Sequence, residues 1–291
     1  MYKFEIDEIL AGAIDMHVHN GPMFGPYRQD AMEIAQQQAE FGMSGVVFKD
    51  SGYLTAPIAK MINARLPDFT AVGSITLNTC HGGLNPAAVE NAARLGSKVV
   101  WMPTLSAENS MAKYREMGIN VSGAGISLID EEGQLKPEIE PILHTIKEFN
   151  MVLATGHIGP DEIMPLVKRA HEIGIEKIIL THPFHTEVVE SKVLTREQVH
   201  ELVDLGAYIE HTFVFHLPTE MGLPIESTVE LVKEYGAEHT IISTDLGLFA
   251  FNPTPAEGMR MFIAALTTRK VPAEDIRKMC HDNPAKLLDL E

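Results

Sequence analysis

The sequence predicts an α/β fold, a (β/α)8 barrel, and three observations predict it. Short runs rich in Val and Ile alternate with longer amphipathic stretches, eight such pairs follow one another at regular spacing, and the apolar runs read as strands buried on both faces. At 291 residues, 45% hydrophobic and 22% charged, the chain has the length and balance of one such barrel, taken as a single domain over residues 1–291. An open doubly wound sheet is the alternative. The first strand-to-helix turn lacks Gly-x-Gly-x-x-Gly, which leaves a dinucleotide fold little support.

In order, the first strand is expected over Ala13–Asn20, and a Gly/Pro loop leads to a helix over Gln29–Phe41. Strand two is Gly45–Asp50, with a helix over Ala56–Arg65. Strand three is Thr70–Leu77; after the loop Asn78–Asn85, Pro86 opens a helix to Leu95, as suits proline at a first helical turn. Strand four, Lys98–Met102, precedes a helix over Ala107–Met117 and then a small β-hairpin insertion at about residues 120–136, turning at Asp130-Glu131-Glu132-Gly133. A helix over Pro137–Phe149 closes that unit. Strand five (Met151–Thr155) pairs with the helix Asp161–Ile173, and strand six (Lys177–Thr181) with Arg196–Leu205. Strand seven (Ala207–Glu210) runs into His211-Thr212 before the helix Ser227–Tyr235. Strand eight (Thr240–Thr244) precedes Ala256–Thr268, and a C-terminal helical segment occupies 273–291.

Composition narrows the function. A formal net charge of −17 argues against nucleic-acid and anionic-membrane partners, and no apolar run exceeds strand length. Met1–Leu10 carries Glu5, Asp7 and Glu8 where a signal peptide would be basic and then apolar. Cys80 and Cys280 form no Cys-x-x-Cys motif and no disulfide framework. The expectation is a cytoplasmic protein acting on a small molecule.

The chemistry centres on Asp15-Met16-His17-Val18-His19. Alternate residues of a strand share a face, so His17 and His19 project together, as two imidazoles on one divalent transition metal would. The same spacing also suits a buried strand end whose histidines are only hydrogen-bonded. In a closed parallel barrel all strands end on one rim. His157, His182 and Asp245 fall at the ends of strands five, six and eight, and that donor set suits Zn, with Mn, Fe or Ni as alternatives.

The segments Asp15-x-His17-x-His19, Thr155-Gly156-His157, Thr181-His182-Pro183 and Ser243-Thr244-Asp245 resemble the amidohydrolase superfamily of metal-dependent hydrolases. Asp282-Asn283-Pro284-Ala285-Lys286-Leu287-Leu288 is similar to that superfamily's closing helix, and Gly82-Gly83-Leu84-Asn85-Pro86 resembles a little-characterised subgroup. The resemblance implies a distorted barrel in which His17, His19 and Asp245 hold one metal. His157 and His182 would hold a second ion or, with a single ion, supply one ligand and one substrate or water contact. Asp245 would act as general base toward water activated by the ion. One feature departs from the pattern. Two-metal relatives often bridge their ions with a carboxylated lysine or a glutamate from strand four, but here that strand ends Trp101-Met102-Pro103-Thr104. Lys49, ending strand two, is the substitute, a ligand only when carbamylated or deprotonated and otherwise a partner of Asp50 or of a substrate anion.

His211, after strand seven, is the preferred further catalytic residue beside His182 and Asp245. His81, His185 and Tyr53 are the candidate substrate contacts, with His216 and Thr55 also on rim loops; Trp101 and Met102 are expected to fill the barrel. The resulting expectation is a hydrolase of an amide, cyclic amide or lactone bond using one or two divalent ions. The alternatives are a non-hydrolytic metal-dependent decarboxylase, a phosphoester hydrolase, for which the basic residues Arg28, Lys49 and Lys192 are few, and a metal- or ligand-binding protein on an inactive scaffold. Homo-oligomerisation rests on family analogy alone.

Overall fold

Eight strands run through one sheet in sequence order: β1 (Ile14–Val18), β2 (Gly45–Phe48), β3 (Thr70–Thr76), β4 (Ser97–Trp101), β5 (Val152–Ala154), β6 (Ile178–Leu180), β7 (Tyr208–Thr212) and β8 (Thr240–Ser243). The computed structural model describes residues 2–23, 26–119, 123, 125–184, 189–219 and 222–290. A helix follows every strand, and a parallel bridge between Val18 and Leu246 links the residues after β8 to β1. The fold is a (β/α)8 barrel. Seven of the strands end one or two residues before the sequence reading, β7 instead runs two residues past it to Thr212, and a helix over Tyr2–Leu10, which that reading did not predict, precedes β1.

Contacts group the chain into two units. The first comprises Met1–Asp50, Thr55–Gly73 and Glu210–Glu291. In it the end of β1 is bonded on both sides: Lys49 N donates to Val18 O, and Asp245 N to His17 O, each at 2.8 Å. Its core gathers Leu10, Val18, Ile34, Phe48, Phe262 and Met279. Pairing of β1 with β2 is irregular, because Asp15 and Val18, three positions apart, face Val46 and Phe48, only two apart. The extra residue falls on the His-x-His segment, where such an irregularity re-aims side chains. Helix starts are locally specified. Asp30 and Glu33 cap Ala31–Glu40 reciprocally, as Thr254 and Glu257 cap Pro255–Thr268.

The second unit comprises Ser51–Leu54 and Ser74–Ile209. Here β4, β5 and β6 are parallel neighbours, with Trp101 opposite Ala154 and Leu153 opposite Ile178. Trp101 and Met102 are fully buried, as are Leu153 and, on the helix after β5, Leu166. Among the described residues the expected hairpin is reduced to one antiparallel bridge, Ile129 to Leu135, around the Asp130–Gly133 turn. Residues 120–122 and 124 of that insertion lie outside the described residues. Ile126 pairs in parallel with Ala107 instead, so the segment lies along the chain after β4.

The C-terminal segment is two short helices, Ala273–Arg277 and Asn283–Leu288, joined by a π-helical turn over Lys278–Asp282. The wider turn falls where Pro284, with no N–H to give, enters the helix. Asn283, 7% exposed, donates both amide hydrogens, to Ala237 O (2.8 Å) and Thr240 O (2.7 Å), and so ties this segment to the start of β8. No helix among the described residues is long and apolar enough to cross a membrane. Asn283→Ala strands two buried carbonyls and is expected to cost about 2–3 kcal/mol, read as a lowered denaturation midpoint at unchanged m-value.

Candidate metal centre

The first unit brings three sequence-predicted donors together. His17 Nε2 lies 3.0 Å and His19 Nε2 3.1 Å from the same oxygen of Asp245, Oδ1. Backbone bonds across the β1–β8 seam set this geometry, since Asp245 N donates to His17 O and His19 N to Leu246 O, each at 2.8 Å. Asp15 locks the seam by accepting from Thr244 N (2.9 Å) and Thr244 Oγ1 (2.6 Å). Two local conformations serve the same end. Asp245 itself has φ 52, the left-handed region that side-chain-bearing residues rarely occupy and that clusters at functional sites. Gly247 has φ 103, and a Cβ there would meet His19 O at 1.9 Å, so only glycine lets β8 turn away so close to the histidine.

Glu210, which the sequence reading passed over, orients the set. Its carboxylate oxygens lie 3.2 and 3.3 Å from His17 Nδ1 and accept from Ser243 Oγ at 2.6 Å. A proton on Nδ1 donates to Glu210 and leaves the Nε2 lone pair facing Asp245, the tautomer a metal ligand needs. Its one sequence signal was a lone acid in an otherwise apolar strand. His211, expected after strand seven, lies inside β7 and is buried; it is not among the side chains grouped with His17.

Electrostatics test whether a cation belongs here. An imidazole lone pair and a carboxylate oxygen 3.0 Å apart repel unless a proton or a cation lies between them. Lys49, 2% exposed, supplies one such charge, donating from Nζ to His17 Nε2 at 2.8 Å. Burial lowers the Lys49 pKa against the attraction of Asp245, Glu210 and Asp50. Burial likewise disfavours protonation of His17, but Asp245 and Glu210 outweigh it and raise its pKa, with Lys49 opposing. Burial pushes His19 down to about 4, so its ring is neutral. Asp245 is held well below the carboxylate range: burial opposes this, and the two histidines overcome it. Burial drives Asp15 up to about 7 against its bonds from Thr244. A neutral His, a second His of fixed tautomer and an ionised carboxylate within 4.8 Å of one another fit a divalent ion.

The second unit brings together His157, His182 and Glu190, whose ligand atoms also lie within 4.8 Å of one another. Glu190 is buried, and nothing in its local sequence distinguishes it. The Thr-Gly-His and Thr-His-Pro motifs have a physical purpose here. Thr181 N donates to Thr155 Oγ1 and Gly156 N to Thr181 Oγ1, both at 3.0 Å, which stitches the ends of β5 and β6 beside the two histidines. Gly156, at φ 61, presses on Met102 O, which a Cβ would approach to 2.4 Å, and His182 adopts φ 31.

Of the other candidates, His81 and Tyr53 are half-buried neighbours linked by a backbone hydrogen bond, and burial lowers the His81 pKa. His185 lies outside the described residues. His216 spends its ring on structure, Nδ1 at 3.0 Å from Leu223 O and Nε2 at 2.9 Å from Thr228 Oγ1.

Residues 12–210 match the model of a family of unknown function, DUF6282. The chain belongs to that family. No curated protein matches its sequence. Among solved structures, the probable dipeptidase PvdM from Pseudomonas aeruginosa is similar at TM-score 0.69 and 12% identity, covering 99% of this chain and 97% of that one. Dihydroorotase from Campylobacter jejuni is similar at TM-score 0.55 and 14% identity, covering 96% of this chain and 84% of that one. A mutant PTE-like lactonase from Deinococcus radiodurans is similar at TM-score 0.61 and 14% identity, covering 95% of each chain. The DUF6282 chain thus has the fold of these solved structures, and a structure described as an amidohydrolase from P. aeruginosa is similar too, at TM-score 0.63 and 13% identity over 97% of this chain and 98% of that one.

Glu210→Gln is expected to weaken zinc binding by about 10- to 100-fold while leaving circular dichroism unchanged. Competition with a chromophoric chelator measures it; unchanged affinity refutes the orienting role.

Proposed function

We infer that this chain is a metal-dependent hydrolase of a small molecule, cleaving an amide, cyclic amide or lactone bond, with Asp245 as general base. The observation that carries the reading is the meeting of His17 Nε2 and His19 Nε2 on one oxygen of a buried, ionised Asp245. When bound, a divalent ion makes water a nucleophile near neutral pH and polarises a carbonyl oxygen. The donor set suits zinc, and manganese, iron or nickel are the alternatives.

The protein's own groups have separable tasks. Glu210 holds the His17 proton at Nδ1, so that Nε2 serves as ligand. Asp245, at 9% the most exposed of the three, is the member that reaches solvent and can accept a proton there. Lys49 keeps its neighbours' carboxylates compensated from the side of β2 and becomes a ligand only in carbamylated or neutral form. His182 contributes at the second group, and His81 and Tyr53 contact substrate. The dipeptidase, dihydroorotase and lactonase names among the similar folds cover the three bond types proposed. Of the few basic residues a phosphoester alternative could use, Arg28 and Lys192 each lie beside an exposed carboxylate, Glu257 (3.5 Å) and Asp161 (2.6 Å).

Chelation is expected to abolish turnover on an amide, cyclic amide and lactone panel, and added zinc to restore it. Asp245→Asn should lower kcat/KM by at least about 100-fold without unfolding the protein. Wild-type rates in that variant would reject its role as base, and carbon dioxide release without solvent oxygen entering the product would replace hydrolysis with decarboxylation.

A further inference from the structure

We propose that Glu190 is the third protein ligand of a cation site completed by His157 and His182, and that Asn109 and Tyr114 hold this site in shape. The inference rests on the metal-dependent reading above, but its test is read in metal content and not in turnover.

Three buried side chains, at 8%, 2% and 6% exposure, bring their ligand atoms within 4.8 Å of one another. A carboxylate buried against two imidazoles is costly unless a cation or added protons sit among them. Two histidines and a glutamate are a known zinc donor set that leaves a coordination position open. The end of β4 supplies no competitor: Trp101 and Met102 fill the interior, and Pro103 and Thr104 carry neither acid nor amine.

The support comes from one helix, Glu108–Glu116. Asn109 uses its whole amide to fasten the segment after Glu190. Its Oδ1 accepts from Lys192 N at 2.9 Å, and its Nδ2 donates to Lys192 O at 2.9 Å and to His157 O at 3.3 Å. Its backbone carbonyl accepts from Ser191 N at 2.8 Å. The chain carrying Glu190 is therefore pinned to the backbone of His157. Tyr114 Oη lies 2.8 Å from His157 Nδ1, which assigns Nε2 as the ring nitrogen left for the ion. The rings of His157 and His182 lie 5.1 Å apart by centroid. His182 reaches that position only through its positive φ, a conformation held by the Thr155–Thr181 stitch.

Chelator-stripped full-length protein is reloaded with zinc, desalted and assayed for bound metal by plasma mass spectrometry. Wild type is expected to retain about two ions per chain and Glu190→Gln about one, with His19→Ala losing the other. Glu190→His, which restores a ligand but not a carboxylate, should regain the second ion; a purely structural role for Glu190 would not be rescued this way. Two ions of unchanged affinity in Glu190→Gln, or a single wild-type ion insensitive to it, overturns the proposal. Should Glu190→Gln fail to fold, an anomalous map of zinc-loaded wild type decides. A peak about 2.0–2.2 Å from a Glu190 oxygen supports the proposal, and a peak on His157 and His182 with Glu190 turned away overturns it. Full loading without turnover on any substrate would end the hydrolase reading and leave Glu190 as a ligand.

Discussion

The seam between β1 and the residues following β8 is the constraint on which the first group of donors depends. Backbone bonds from Asp245 to His17 and from His19 to Leu246 put three side chains, the last of them 226 positions beyond His19, within one ion's reach. Parallel strands supply these bonds at fixed intervals, so the seam sets where the side chains begin, and the bulge in β1 and the positive φ of Asp245 set where they point. Asp15 serves this geometry through Thr244 rather than the chemistry itself. That explains why an acid stands two residues before the first histidine.

The second group is built by other means. Its strand ends are joined by threonine hydroxyls, and its third donor is carried by a loop fastened through Asn109. A loop residue needs such a fastening because loop backbone has no ladder to fix it. One helix both clamps the loop and orients His157, so its Asn109 and Tyr114 are buried although they lie on the side of an otherwise polar segment.

The fold was legible because burial on both faces writes itself into the sequence as unbroken apolar runs, as in Gly45–Phe48 and Ile178–Leu180. Strand-end histidines were legible for the same reason, since a polar residue closing an apolar run has few structural uses. Glu210 and Glu190 were not. The first looks like a strand's outward acid until β7 is known to be buried throughout, and the second lies in a loop whose path only Asn109 reveals. His211 drew attention as the histidine at a strand end, yet the strand continues through it to Thr212. The reduced hairpin misled in the opposite sense, because its turn residues are real while Ile126 pairs with Ala107 rather than across the hairpin.

Charge explains why the first group suits a divalent cation. Asp50, Glu210 and Asp245 act on the buried Lys49, and with that lysine protonated the three carboxylates leave two negative charges uncompensated. Buried charge without a partner is expensive, and removing one member of a buried pair is more so. A single divalent ion on His17, His19 and Asp245 would offset those two charges, taking the place of any proton on the His17 nitrogen that faces Asp245. Carbamylation of Lys49 would reverse its sign and raise the deficit to four, the charge of two divalent ions. At the end of β2 the structure presents that lysine with its Nζ 2.8 Å from the ring nitrogen Nε2 of His17.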